Sequence, residues 1–251
     1  MTRLSGKRAL VTGSSSGIGA GVAIAFANEG ASVAINYPDL SQQVNAIKVL
    51  TEIEQAGGNA IAIQADVSVE EEASRLVSET MEKLGGIDIL VNNAGIAHAG
   101  MLEEIPVEAW DRMFAVHVRS QFLVTRKVLP VMYEQNYGKI INTASQLAYK
   151  GAPGFTHYTA AKGAILSLTR SLALEVGERN VCVNAVAPGA TMTPILDDVP
   201  DELLEAIRQS IPRKKLAEVD EIVPTYVFLA SDEADHFRGQ CLSPNGGDVF
   251  L

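Results

Sequence analysis

Short apolar runs rich in β-branched residues recur along the chain, separated by longer stretches in which apolar positions return every three or four residues. The short runs predict strands at Arg8–Thr12, Ser32–Asn36, Ala60–Ala65, Ile87–Val91, Lys139–Thr143, Val181–Val186 and Gln240–Leu242. The longer stretches predict helices at Gly17–Asn28, Gln42–Gln55, Val69–Leu84, Val107–Gln135, Tyr158–Gly177 and Asp220–Ala230, with a shorter helix-like piece at Asp201–Gln209. Strands that are apolar almost throughout are buried on both faces, and their alternation with helices makes the sheet parallel. The pattern therefore predicts an α/β fold with one doubly wound, seven-stranded parallel sheet and helices on both faces. No linker, repeat or low-complexity break interrupts it, so residues 1–251 are read as a single domain.

Some boundaries carry their own signals. Ser41 precedes a helical pattern and can cap it, while Gly57-Gly58 and Gly85-Gly86 follow the ends of two others. Pro130 lies inside the Val107–Gln135 stretch and should kink it or mark a seam. Between strand six and the closing helix, residues 190–212 contain three prolines and no strand pattern, which makes this insertion a candidate lid over a substrate.

Composition narrows the function. Hydrophobic residues make up 47% and charged residues 20%, the balance of a globular protein. A net charge of −10 argues against a sequence-independent grip on nucleic acid, which needs clustered Lys and Arg. The two cysteines, Cys182 and Cys241, lie in apolar strand-like runs with no Cys/His cluster, so they read as buried, inert thiols, with neither disulfide nor metal site. Met1–Arg8 is polar and leads straight into a strand, and no apolar run approaches the roughly 18 residues of a membrane span. The expectation is a cytoplasmic protein with no membrane partner.

After the first strand comes Gly13-Ser14-Ser15-Ser16-Gly17-Ile18-Gly19 and then a helix. Glycine permits the backbone angles of a tight turn and lets main-chain N–H groups approach a pyrophosphate, for which a helix N-terminus supplies partial positive charge. The spacing is not G-x-G-x-x-G, and by itself the turn fits a purely structural role equally well. Farther on, Tyr158 and Lys162 stand four apart on one helical face. A free tyrosine ionises near pH ~10, and a neighbouring ammonium favours the phenolate, so the pair can exchange a proton with an alcohol or carbonyl oxygen. Read alone, Tyr-x-x-x-Lys is as compatible with an ordinary amphipathic face.

Taken together, Thr12-Gly-x-x-x-Gly17-x-Gly19, Asn92-Asn93-Ala94-Gly95, Ser145 with Tyr158-x-x-x-Lys162, and Pro188-Gly189-x-x-x-Thr193 resemble the short-chain dehydrogenase/reductase family, in the family's order and over essentially the whole chain. The resemblance implies a Rossmann fold and hydride transfer between a nicotinamide and a carbonyl or alcohol carbon. It also implies roles for single residues. Gly13, Ser15, Ser16, Gly17, Ile18 and Gly19 would cradle the cofactor; Asn36 and Tyr37 would stand near the adenosine ribose; Asp66, with Val67, would hold the adenine. Asn92 would stabilise the sheet, and Asn93, Ala94 and Gly95 would line the cleft. Pro188-Gly189 would face the nicotinamide, with Thr191 and Thr193 on its carboxamide or the diphosphate. Tyr158 would be the acid/base, Lys162 its partner and the anchor of the nicotinamide ribose, and Ser145 the donor to the substrate oxygen. Singly, Asp66 also reads as a strand-end cap and Thr193 as a loop residue.

One position departs from the family, where most members complete a catalytic tetrad with asparagine. Here it is His117, in Ala115-Val116-His117-Val118-Arg119-Ser120. The family's relay uses that residue's main-chain carbonyl, which survives substitution; alternatively the imidazole itself shuttles protons, or it is a neutral buried side chain. Of the other histidines, His157 either touches substrate or begins its helix, His98 lies near the expected cleft, and His236 reads as surface.

The residues after strand two are Asn36-Tyr37-Pro38-Asp39. Neutral Ser16 and Pro38 stand where NADP users of the family often carry a cation, and Asp39 would repel a 2′-phosphate, so NAD(H) is expected over NADP(H), which stays open. The segments 95–101, 146–157 and 190–212 should face the substrate; Leu147, Tyr149, Phe155, Met192, Ile195 and Leu196 among polar residues suit a modest ketone, secondary alcohol or sugar. The chain is similar to the glucose-dehydrogenase and 3-oxoacyl-reductase branches. Acidic Tyr133-Glu134-Gln135-Asn136 makes a carrier-bound acyl group the second choice, although Arg179 offers one contact. A nucleotide-binding sensor without turnover is the alternative of another class. The apolar tail ending Val249-Phe250-Leu251 and the family resemblance together imply a homotetramer.

Overall fold

The structure, a computed structural model, describes residues 2–197 and 199–250. Met1, Asp198 of the predicted lid and Leu251 of the predicted tail lie outside the described residues. Seven parallel strands form one sheet: β1 (Arg8–Val11), β2 (Ser32–Tyr37), β3 (Asn59–Gln64), β4 (Ile89–Asn92), β5 (Gly138–Thr143), β6 (Val181–Val186) and β7 (Cys241–Leu242). Their order is β3-β2-β1-β4-β5-β6-β7. The chain winds outward from β1 to β3, then crosses to β4 on the other side of β1, so a crevice opens beyond the carboxyl ends of β1 and β4.

The alternation of side chains along each strand divides the core in two. Leu10, Ala34, Leu90, Ile140 and Val183 are in register across the sheet and face one layer. That layer contains helices α3 (Glu70–Leu84), α5 (Ser120–Gln135) and α7 (Thr156–Val176). Their neighbours Ala9, Val11, Val33, Ile35, Ile89, Val91 and Ile141 face the opposite layer of α1 (Gly17–Asn28), α2 (Gln43–Gln55) and α9 (Val219–Ala230). The remaining helices are α4 (Val107–Phe114), the short α6 (Leu147–Lys150) and α8 (Asp201–Ser210), which has no buried residue.

Three boundary expectations change. Ser41 does not cap α2: Asp39 accepts from the Ser41 amide at 2.8 Å, one turn of tighter helix intervenes, and α2 begins without a side-chain cap. The long helix is not broken at Pro130, which sits inside α5; the carbonyl deprived of a donor belongs to Arg126, an exposed residue. The seam falls earlier, where Ala115–Arg119 form a wider π-helical turn between α4 and α5. Cys182 is buried as expected, but Cys241 is half-buried. Among the described residues no helix is long and apolar enough to cross a membrane.

At the carboxyl ends of β4 and β5 a buried polar ladder ties two helices of one layer, α5 and α7, to the sheet. Asn92 Nδ2 donates to Thr125 Oγ1 on α5 and to Asn142 Oδ1, each at 2.9 Å, and Asn142 Nδ2 donates to Thr169 Oγ1 on α7 at 2.9 Å. All four residues are buried, so removing one strands its partners without water. Asn142→Ala should lower the unfolding free energy by about 2–3 kcal/mol in urea titrations. A change below ~0.5 kcal/mol would show that the ladder is not a fastening.

Candidate active site

The crevice at the end of β1 is shaped by what its glycines leave out. A Cβ on Gly13 would lie 2.7 Å from Ala94 Cα, and one on Gly19 would lie 2.3 Å from the Gly13 carbonyl oxygen. Gly13 and Gly17 also hold φ of +60° and +55°, which side chains resist. Ser16 precedes α1 in extended conformation without a side-chain cap, and the first turn carries no acidic residue. The amides there remain free for an anion, which is the fit a dinucleotide's diphosphate requires. Ile18 packs inward beneath the turn, Ser15 is buried with its hydroxyl 3.5 Å from Gln42 Oε1, and a Cβ on Gly17 would touch Thr193 at 3.4 Å.

Several residues expected to meet the cofactor build this turn. Asn36 is buried; its Oδ1 accepts from the Gly13 amide at 3.1 Å and its Nδ2 donates to the Ala65 carbonyl at 3.0 Å. Its side-chain amide serves as a strut, and Tyr37 is buried in the apolar layer under α1 and α2 at the end of β2. Asn93 Nδ2 donates to the carbonyls of Thr12 and Gly13 at 3.1 and 3.0 Å, while the amides of Asn93 and Ala94 donate to Thr12 Oγ1. Val67 is buried in the layer with α3. Asp66 accepts from the Ser68 amide and hydroxyl, and Arg112 donates to its other oxygen at 3.0 Å. Burial alone would raise its carboxyl, but Ser68 and Arg112 outweigh it and hold it below the usual range. It remains half-buried and ionised at the crevice, as an acceptor for an amino group must be.

On the other side of the switch point, Ser145 follows β5 and Tyr158 and Lys162 lie in the first turns of α7. Ser145 Oγ accepts from the Leu147 amide at 3.1 Å, which leaves its own proton free to be donated. Lys162 is buried; its Nζ donates to the Thr143 carbonyl at 2.8 Å and sits 5.6 Å from the centre of the Tyr158 ring. Burial pulls the Lys162 ammonium down to about 7. Burial pushes the Tyr158 phenol up, and hydrogen bonding with Ser145 opposes this only in part. Among the protein's own groups, Lys162 therefore does not by itself bring the phenol down, and the expected help from a positively charged nicotinamide stands apart from this. A weakly held ammonium on a buried carbonyl does not offset the cost of a desolvated phenolate.

His117 lies in the π-helical turn, buried, with its ring edge-to-face against Tyr158 at 5.4 Å. Its Nε2 is 2.8 Å from the Ile96 carbonyl oxygen and 3.1 Å from the Ile96 amide, while Nδ1 has no partner. Burial, then the charge of Lys162, lowers its pKa well below the ordinary value, so the ring is neutral. A Cβ on Gly95 would lie 2.6 Å from His117 Cε1, so that glycine makes room for the larger ring.

The rim comes from the end of β6 and the loops beyond it. The Pro188 carbonyl accepts from the Gln146 amide, and the Gly189 amide donates to the Pro244 carbonyl, each at 3.0 Å. Thr191 is buried, donates to the Gly189 carbonyl at 2.9 Å, and pairs with Ala217 at the base of the 190–212 insertion. Met192 and Ile195 are exposed there. Tyr149 packs in a small cluster with Cys241 and does not face the cleft as expected. Two features escaped the sequence. Gln146 Nε2 and Lys150 Nζ donate to Asp248 at 2.8 and 2.6 Å, leaving Gln146 Oε1 buried and unpartnered beside Ser145. His98 and His157 meet ring to ring. No local spacing signals contacts between residues 102 apart. Among the described residues no group of three or more His, Cys, Asp and Glu could hold a metal.

Comparison with known proteins agrees with this geometry. Residues 13–248 match the family described as Enoyl-(Acyl carrier protein) reductase. The chain is 38% identical over 241 residues to the 3-oxoacyl-[acyl-carrier-protein] reductase of Staphylococcus aureus, covering 96% of this chain and 97% of that protein. It superposes on a dehydrogenase/reductase from Sinorhizobium meliloti with a TM-score of 0.93 and 39% identity, covering 99% and 97% of the two chains. A protein described as an NAD(P)-dependent gluconate 5-dehydrogenase from Beutenbergia cavernae, with NADP bound, superposes at 0.92 with 34% identity over 98% of both chains.

Proposed function

The chain belongs to the short-chain dehydrogenase/reductase family, and from that premise we propose that it reduces a ketone, or oxidises a secondary alcohol or sugar, with Tyr158 as general acid/base. The cofactor class is NAD(P). The observation that supports the reading most is the meeting of Ser145, a phenol and a lysine at the crevice whose far wall is an uncapped helix N-terminus. A sensor without turnover would have no use for that trio.

When bound, the nicotinamide supplies the hydride acceptor or donor and, oxidised, a positive charge beside the phenol. Ser145 donates to the substrate oxygen and steadies the charge that grows there. Tyr158 gives that oxygen a proton in reduction and removes one in oxidation. Lys162, held by Thr143, orients the cofactor ribose and lends charge to the phenol. Gly13, Ser15, Ser16, Gly17, Ile18 and Gly19 form the diphosphate cradle, with Gly95, Pro188, Gly189, Thr191 and Thr193 around the nicotinamide and Asp66 at the adenine. The 190–212 insertion is read as the lid, since no residue of α8 within it is buried and the helix is free to move.

Within the cofactor class the preference is NAD(H). Ser15, Ser16, Tyr37, Pro38 and Asp39 include no cation, and Ser41 keeps the exposed Asp39 carboxylate below its usual pKa and so ionised. The Beutenbergia relative's bound NADP favours the other choice. The Staphylococcus relative likewise supports 3-oxoacyl-thioester reduction as the second reading. Against it, a net charge of −10 repels an acidic carrier, and Arg179 stacks on Tyr133 at 4.0 Å. Free thiols at Cys182 and Cys241 fit the reducing cytoplasm. Phe250 is 91% exposed and Leu174 83%, apolar surface that supports a homotetramer.

Tyr158→Phe should cut turnover by roughly 10²–10⁴-fold on a panel of ketones, polyols and 3-oxoacyl thioesters while cofactor binding persists. Since burial raises the phenol, the wild-type oxidation rate should climb with pH and the reduction rate should not; full activity without the hydroxyl would remove the assignment. Comparing kcat/KM for the two cofactors should favour NAD(H), and a strong NADPH preference refutes that choice. Light scattering at micromolar concentration should give four chains per particle; a monomer overturns the assembly.

A further inference from the structure

Two of the four histidines flank Tyr158, His117 against its ring and His157 before it in the chain, and a third, His98, meets His157. His157 precedes it in α7 yet has no exposed surface, so it does not touch substrate. Its Nε2 lies 3.2 Å from Nδ1 of His98, the rings meeting edge-to-face at 5.3 Å, and His98 is exposed in the loop after β4. The inward nitrogen of His157, Nδ1, is buried without a partner, as is Nδ1 of His117. An apolar ring would fill either place without leaving a buried nitrogen unsatisfied. Beyond the hydrogen bonds of Nε2 to Ile96 and to His98, imidazole takes up and releases protons, which an apolar ring cannot do.

We propose that His98, His157 and His117 form a row of imidazoles that carries protons between solvent and Tyr158, an inference that rests on the oxidoreductase reading. In oxidation the hydride leaves the carbinol carbon for the nicotinamide and the alcohol proton goes to the Tyr158 phenolate. That proton must then leave the site for solvent. It passes to Nδ1 of His117, whose Nε2 proton stays on the Ile96 carbonyl, and from that same Nδ1 to His157 Nδ1 through a water; His157 Nε2 hands a proton to His98 Nδ1, and His98 Nε2 releases one to solvent. Reduction runs the row backwards; each pass leaves His157 and His98 in the other tautomer, and a half-turn of the ring restores it before the next turnover. His117 suits the traffic because Nε2 keeps its partner on the Ile96 carbonyl while Nδ1 is left free.

The groups acting on the row come from α7 and the loop after β4. Lys162 and His157 act on His117, His98 acts on His157, and Tyr158 packs against His117. Burial first, then these neighbours, lowers the pKa of His117 and of His157, so both rest neutral and hold a relayed proton only in passing.

The test uses the full chain with a substrate that the wild type oxidises, comparing His98→Gln and His157→Gln in H₂O and D₂O. Glutamine keeps a hydrogen bond at each place but cannot pass a proton through. Both variants should lower kcat about tenfold, leave KM for the nicotinamide cofactor unchanged, and enlarge the solvent isotope effect. Added imidazole should restore His98→Gln, whose position is exposed and whose folding is not in question. Wild-type kcat and isotope effect in His98→Gln overturn the relay and leave the oxidoreductase reading standing. So does a loss that imidazole fails to reverse and D₂O fails to enlarge. A wild type that turns over nothing with either nicotinamide removes both.

Discussion

Helix α7 is bound to the end of β5 by two buried polar contacts, and the chemistry depends on that fastening. Asn142 Nδ2 reaches Thr169 in the middle of the helix, and Lys162 Nζ reaches the Thr143 carbonyl one turn beyond Tyr158. Thr143 is itself joined to Tyr226 on α9 by a hydroxyl contact of 2.9 Å, so both layers meet at the same strand end. With β5 held against β4 through Asn92, Tyr158 is positioned relative to the glycine turn by a continuous chain of buried hydrogen bonds. Errors of about an ångström matter for proton and hydride transfer, and a rigid sheet edge limits them.

The electrostatics of the site follow from enclosure. Burial raises the phenol of Tyr158 and lowers the basic groups around it, Lys162 and His117, so the polypeptide holds the cluster near neutrality. This suits a site that must hold a dinucleotide whose nicotinamide gains and loses positive charge. Groups with little fixed charge respond to that change, whereas a permanently charged lysine–phenolate pair would favour one redox state.

Much of this was legible because parallel sheets and glycine turns write local signals. The near-continuous apolar runs marked every strand, and the spacing of Gly13, Gly17 and Gly19 marked the crevice, since only backbone without Cβ can pass there. The part that Asn36 and Asn93 play in building the glycine turn was not legible: a side-chain amide takes whichever backbone partners the fold brings to it, and Thr12, Gly13 and Ala65 are distant in sequence. The seam at Ala115–Arg119 carried no proline or glycine, so composition pointed to Pro130 instead.

The sequence by itself determined the order of elements, the two-sided burial of the sheet, the glycine turn and the Ser145, Tyr158 and Lys162 set, because each is encoded within a few residues' spacing. Only the tertiary structure decided which polar side chains are struts, that the phenol is pushed up rather than down, and that Asp248 holds Gln146 and Lys150. It alone brought His98, His117 and His157 to one place. Burial and long-range contact are properties of the packed chain, and no local pattern carries them.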